Sequence, residues 1–184
     1  MRSVHSILLF LAFIVAGCTF SGVKPEIAGT PPSKPPKVFI LGDVRVADQL
    51  WEPHRLQFRR GVTDWFQRNG GFETVLGERP ATVPTDSIVL VGTIIDIDKG
   101  SAVARALVGM GAGQAKVKGD FEIHDPNGVV LAKFSGRESY LGGAGIGGFG
   151  LLDMDDLVRR FAETVAETTR NWARGEKIGE QGTK

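Results

Sequence analysis

Few residues in this chain have the types and spacing that chemistry needs, and most of those are glycines. Gly145-Ile-Gly147-Gly-Phe-Gly150 matches the G-x-G-x-x-G spacing that lets a backbone approach a pyrophosphate at a helix start. Two features oppose that use. The helix that follows is the last predicted element, so no second parallel strand carries a ribose-binding acid. Asp153, Asp155 and Asp156 also sit where the phosphates would have to bind. Gly109, Gly111 and Gly113 form a second cluster, but a strand pattern follows it rather than a helix, and no G-x-x-x-x-G-K-[ST] is present. Asp96 and Asp98 share one strand face and could form a general acid/base pair. The stretch Asp96-Ile-Asp98-Lys-Gly100 has the beginnings of a calcium loop, yet its twelfth position is Leu107, where a bidentate carboxylate is required. Outside the first residues, the histidines are His54 and His124. There is no H-E-x-x-H, no second cysteine and no G-x-S-x-G. These patterns predict no catalytic residue, no metal site and no cofactor.

The amino terminus is more specific. Arg2 precedes a short apolar run over residues 7–15, about half the ~20 residues that span a membrane. Val15-Ala16-Gly17-Cys18 follows, and Cys18 is the only cysteine of the chain, so it cannot form an internal disulfide. This resembles the lipobox of bacterial lipoproteins. The resemblance implies residues 1–17 as a signal peptide, cleavage before Cys18, and lipid attachment at Cys18. Thr19 at the next position implies sorting to the outer membrane, with the domain facing the periplasm. Residues 18–37 carry Pro25, Pro31, Pro32, Pro35 and Pro36 and are predicted to be a proline-rich tether. The formal charge is +1 and falls to about zero once Arg2 is removed, which excludes a nucleic-acid partner.

Residues 38–175 read as one α/β domain and 176–184 as a flexible tail. The β-branched run at 38–46 is a strand. Pro53 stands inside a helix start, Phe58, Val62, Trp65 and Phe66 make an apolar face, and Gly70-Gly71 ends that helix. A short strand fits 72–76. Residues 87–98 are apolar on both faces, with Ile88, Leu90 and Ile94 on one and Val89, Val91, Ile95 and Ile97 on the other, as in the middle of a sheet. Residues 116–124 alternate strictly, Asp125-Pro-Asn-Gly128 is a turn, and 129–134 returns as its hairpin partner. Asp153 caps a final helix on which Leu157, Phe161, Val165 and Trp172 form the buried face. The order β-α-β-β-β-β-α predicts a two-layer α/β sandwich, a mixed sheet of about five strands with two helices.

Gly100-Ser101, Ala104-Arg105-Ala106 and Gly109-x-Gly111-Ala112-Gly113-x-Ala115, followed by an alternating strand and an Asp-x-x-Gly turn, resemble the bacterial lipoprotein family of unknown function DUF4410. The likeness runs over roughly residues 38–172 and implies an envelope lipoprotein with no established activity. The order of helices and strands is also similar to the TolB amino-terminal type of domain, a likeness of fold alone. Within the signature, Arg105 is the exposed residue suited to contacting a partner, since arginine is enriched at interface hot spots. The reading is therefore a non-catalytic binding or accessory domain. It is held to the membrane by its lipid and presented to an envelope protein or cell-wall partner. The alternative is a subunit of an oligomeric outer-membrane assembly or secretion channel. Segments 101–115 and 141–150 are each too short for the two strands of about 9–11 residues that a spanning hairpin needs.

Overall fold

The structure, a computed structural model, describes residues 18–27, 29–101, 114–141 and 153–179. Strands β1 (Cys18–Ile27), β2 (Val38–Val46), β3 (Thr74–Leu76), β4 (Ser87–Asp98), β5 (Ala115–His124) and β6 (Val130–Leu141) form one sheet in the order β1-β6-β5-β4-β2-β3. Strands β2–β3 and β2–β4 pair in parallel; the other pairs are antiparallel. Helices α1 (Glu52–Asn69) and α2 (Met154–Ala173) pack on one face, which gives the expected two-layer sandwich with one strand more than predicted. The helix boundaries follow the sequence. Pro53 opens α1, and Gly70 closes it at φ 64°. The Asp153 carboxylate accepts the Asp155 N–H at 2.9 Å to cap α2.

The helix-facing positions of the central strands alternate large and absent side chains. Gly92 on β4 lies opposite Phe121 on β5, and Gly119 on β5 lies opposite Gly136 on β6. A Cβ on Gly92 would fall 2.3 Å from the Phe121 ring, and one on Gly119 2.9 Å from it; on Gly136 it would fall 3.0 Å from Phe161. Phe121 and Phe161 thus lie over bare backbone. Phe58 of α1 stacks on Phe121 at 5.4 Å between centroids, and Phe134 lies 5.6 Å from Phe121. Between the helices, Gly61 leaves room for Ala162, whose Cβ would be 2.8 Å from a Cβ at position 61.

Four expectations are corrected. The first half of the predicted tether is strand β1. It pairs with β6 from Cys18↔Leu141 to Ile27↔Lys133. Its core-facing positions after residue 20 are Ser21, Val23 and Pro25, which is too weak a pattern to signal a strand. Pro25 is tolerated because it sits at an edge, beside a register shift. Strand β6 runs to Leu141 rather than Phe134 because it is gripped by β5 on one side and β1 on the other. A bulge between Ile94 and Asp96 inverts the facing of the rest of β4, so Ile97 joins the core side with Ile94 while Asp96 and Asp98 turn outward. The first residues of the predicted tail are packed: Ile178 is buried in the core and Gly179 abuts Pro25.

Gly92→Ala should destabilise the domain by about 1–3 kcal/mol, the usual cost of overpacking. The expected reading is a lower urea midpoint; an unchanged midpoint would show that the Phe121 ring is not held against the β4 backbone.

Candidate functional site

The open face of the sheet collects the titratable side chains that alternation turns away from the helices. Asp96 and Asp98 stand beside Lys118 and Lys116 in the β4–β5 register. The Lys116 Nζ lies 3.3 Å from the Asp96 Oδ2 and 3.5 Å from the Asp98 Oδ2, and the Lys118 Nζ lies 3.9 Å from the Asp96 Oδ2. Asp96, by hydrogen bond and charge, raises the Lys116 ammonium above its ordinary range. Lys116 bridges both carboxylates, so this arrangement is an ion ladder. It contributes little stability in water.

The ladder continues across the sheet. The His124 ring nitrogen Nε2 is 2.8 Å from Glu122, and this contact, followed by Lys133, holds the Glu122 carboxyl below its usual range against the opposing effect of burial. Lys133 lies 3.3 Å from Glu122 and 3.7 Å from Glu26 of β1. The Ser135 hydroxyl reaches Asp120 at 2.9 Å and Glu26 at 2.6 Å. On the helix side, His54 stands apart from His124, with its Nδ1 3.8 Å from Asp155. Among the described residues, no group of three or more His, Cys, Asp or Glu is placed to hold a metal ion. Three of the four α1 arginines are also engaged: Arg55 with Glu52, Arg68 with Glu163 at 3.2 Å, and Arg59 with the Gly42 carbonyl at 2.7 Å and that of Gly77. Burial lowers the Arg59 guanidinium, with Arg55 adding repulsion.

A carboxylate sits on the core side. Glu138 of β6 is 1% exposed; its Oε2 accepts from the Ser21 hydroxyl at 2.5 Å and from the Thr164 hydroxyl of α2 at 3.4 Å. Burial pushes its carboxyl above the usual range, and those two hydrogen bonds offset part of the rise. Glu138 therefore joins β1, β6 and α2 at one point. Sequence reasoning passed over it by ending the strand at Phe134. Had the alternation been carried on, Ala132, Phe134, Gly136 and Glu138 fall on one face.

The residues singled out by sequence are placed only in part. The backbone of Cys18 opens β1 beside Leu141. Arg105, Gly109, Gly111, Gly113, Gly145, Gly147 and Gly150 lie outside the described residues. Their flanks are described. The first glycine segment leaves β4 after Asp98 and enters β5 at Ala115; the second leaves β6 at Leu141 and reaches α2 at Asp153. Asp98 lies opposite Lys116, Ala115 opposite Tyr140, and Leu141 opposite Cys18, so both segments leave the end of the sheet at which β1 begins. The α2 N-terminus that would receive a phosphate is occupied by its own Asp153 cap.

This geometry defines a small two-layer α/β domain with a charged, ion-paired open face. A PelC dodecamer from Paraburkholderia phytofirmans shares the fold, with a TM-score of 0.55 at 15% identity over 79% of this chain and 94% of that one. A point variant of that dodecamer gives a TM-score of 0.45 at 13% identity over 79% and 94% of the two chains. A protein from Caulobacter crescentus CB15, described provisionally as a lipoprotein, gives 0.37 at 14% identity over 73% and 92%. No curated protein matches the chain. Residues 71–144 match the model of DUF4410, a domain of unknown function, in agreement with the resemblance seen in the sequence.

The Glu138 carboxyl is raised in the folded state, so the fold binds its proton more tightly than the unfolded chain does. Stability from this group is full below the ordinary value of 4.5 and is lost as pH rises through the folded value. Glu138→Gln keeps the acceptor for Ser21 and removes the titration. It should be more stable than the native chain at pH 7.5 and lack that decline in urea midpoints measured from pH 4 to 8. Parallel profiles would contradict a buried, raised carboxyl.

Proposed function

We propose that the chain is a lipid-anchored, non-catalytic binding or accessory module of the bacterial envelope. It is carried by Cys18 on the periplasmic face of the outer membrane and presented to an envelope protein or cell-wall partner. The observation that carries this reading is the lipobox cysteine followed at once by a sheet strand, which makes anchor and domain one unit. The engaged acids of the open face support a binding role over a catalytic one. Asp96 and Asp98 share Lys116, and Glu122 is held by His124 and Lys133. No described helix is long and apolar enough to cross a membrane.

Self-assembly is the second reading. The fold is shared with a protein that forms a dodecamer. The sheet also ends on two strands paired on one side only, β1 at one edge and the three-residue β3 at the other.

Labelled palmitate should enter the full chain and fail to enter Cys18→Ser when both are expressed in a diderm bacterium. Incorporation into the variant would contradict the anchor. Native mass spectrometry of the acylated chain in mild detergent separates the two readings: multiples of the chain support self-assembly, and a lone monomer opposes it.

A further inference from the structure

The anchor and the sheet are joined without a spacer. A tether over residues 19–37 would have let the domain stand several nanometres from the bilayer, at about 3.1 Å per residue where extended. Strand β1 instead starts at Cys18, the residue that would carry the acyl chains. The β1 corner of the sheet is therefore held at the lipid surface, and β2, four strands along, stands about 19 Å from it across the sheet.

The same end carries exposed apolar surface. Strand β2 finishes there: the Ala47 N–H bonds to the Ile94 carbonyl, beside the end of β4, and the chain then makes the 3-10 turn Gln49–Trp51 before α1. Leu50 in that turn is 81% exposed, and Ile95 at the β4 bulge is 41% exposed. Charge at this end is mixed: Asp48 and Glu52 flank Leu50, while Asp96 and Asp98 stand beside Lys116 and Lys118. Exposed Val129 and Val130 lie at the β5–β6 turn, but that turn is about 30 Å away along the strands, and no acyl chain reaches it.

We infer that the Cys18 end of the sheet seats directly on the bilayer. Leu50 is its contact with the acyl-chain boundary, and the β5–β6 turn points away from the membrane. The occupant of this apolar end is the lipid surface itself. This orientation rests on the lipid anchor proposed above. It has a functional consequence: a partner reaches the domain from the β5–β6 turn side or across the open face.

The test uses the full acylated chain, extracted from membranes and reconstituted into vesicles of phosphatidylcholine and phosphatidylglycerol with brominated acyl chains. Acylation blocks Cys18, so Leu50→Cys or Asn127→Cys offers one free thiol for an environment-sensitive fluorophore. Both positions are exposed, and Gln49→Cys repeats the first measurement if Leu50→Cys expresses poorly. The label at position 50 is expected to be quenched several-fold more than the label at position 127. Equal quenching at the two positions, or none at either, overturns the inference while leaving the anchor intact. Vesicle flotation and one label per chain report the anchor separately. A chain that fails to float, or takes two labels, overturns the anchored reading and this orientation with it.

Discussion

The contact of the Phe121 and Phe161 rings with bare strand backbone sets the geometry of the rest of the domain. Gly92, Gly119 and Gly136 remove three side chains from the helix-facing side of adjacent strands, and the two rings occupy the space. Phe58 and Phe134 pack against the Phe121 ring, and Phe161 lies 5.6 Å from Phe58, so the cluster draws α1 and α2 onto the sheet together. The close pass of Gly61 and Ala162 completes the helix pair. Glycine weakens a strand taken alone. Here that cost is offset by aromatic burial, which is worth more per residue than other core contacts.

With the inner face given to aromatic packing, the polar side chains of β4, β5 and β6 fall on the open face and meet across strands. The β4 bulge makes the separation complete, because without it Asp96 and Asp98 would point into the core and Ile97 into water. Most acids and bases of that face are paired across strands, as Lys116 is with both aspartates. Glu138 is the exception, buried on the helix side where it ties the amino-terminal strand to β6 and α2.

Much of this was legible in the sequence wherever a local pattern had a local cause. Residues 116–124 alternate because one side is core and the other water. Pro53, Gly70 and Asp153 mark helix ends because backbone donors and φ values there demand them. Strand β1 was not legible because its pairing supplies the stability that its composition lacks: Ser21, Val23 and Pro25 would not form a strand without β6 beside them. The β4 bulge was hidden for a related reason. The run Ile94-Ile-Asp-Ile-Asp98 alternates acceptably in either register, and the core and Lys116 decide between them. Glu138 was missed because the alternation was stopped four residues too early. Of the site residues, Cys18 is placed by its backbone, and the glycine-segment residues lie outside the described chain.

The central claim is that residues 18–27 are a strand of the sheet and not a leash, so that Cys18 and the domain form one rigid unit. Amide hydrogen exchange on the full chain tests it most directly. The account predicts protection at alternate positions from Ser21 to Lys24, where one set of N–H groups bonds to β6, and rapid exchange at Ser33 and Lys34, which lie in irregular chain. Uniformly rapid exchange from residue 19 to residue 37 would contradict it and restore a free tether ahead of the domain.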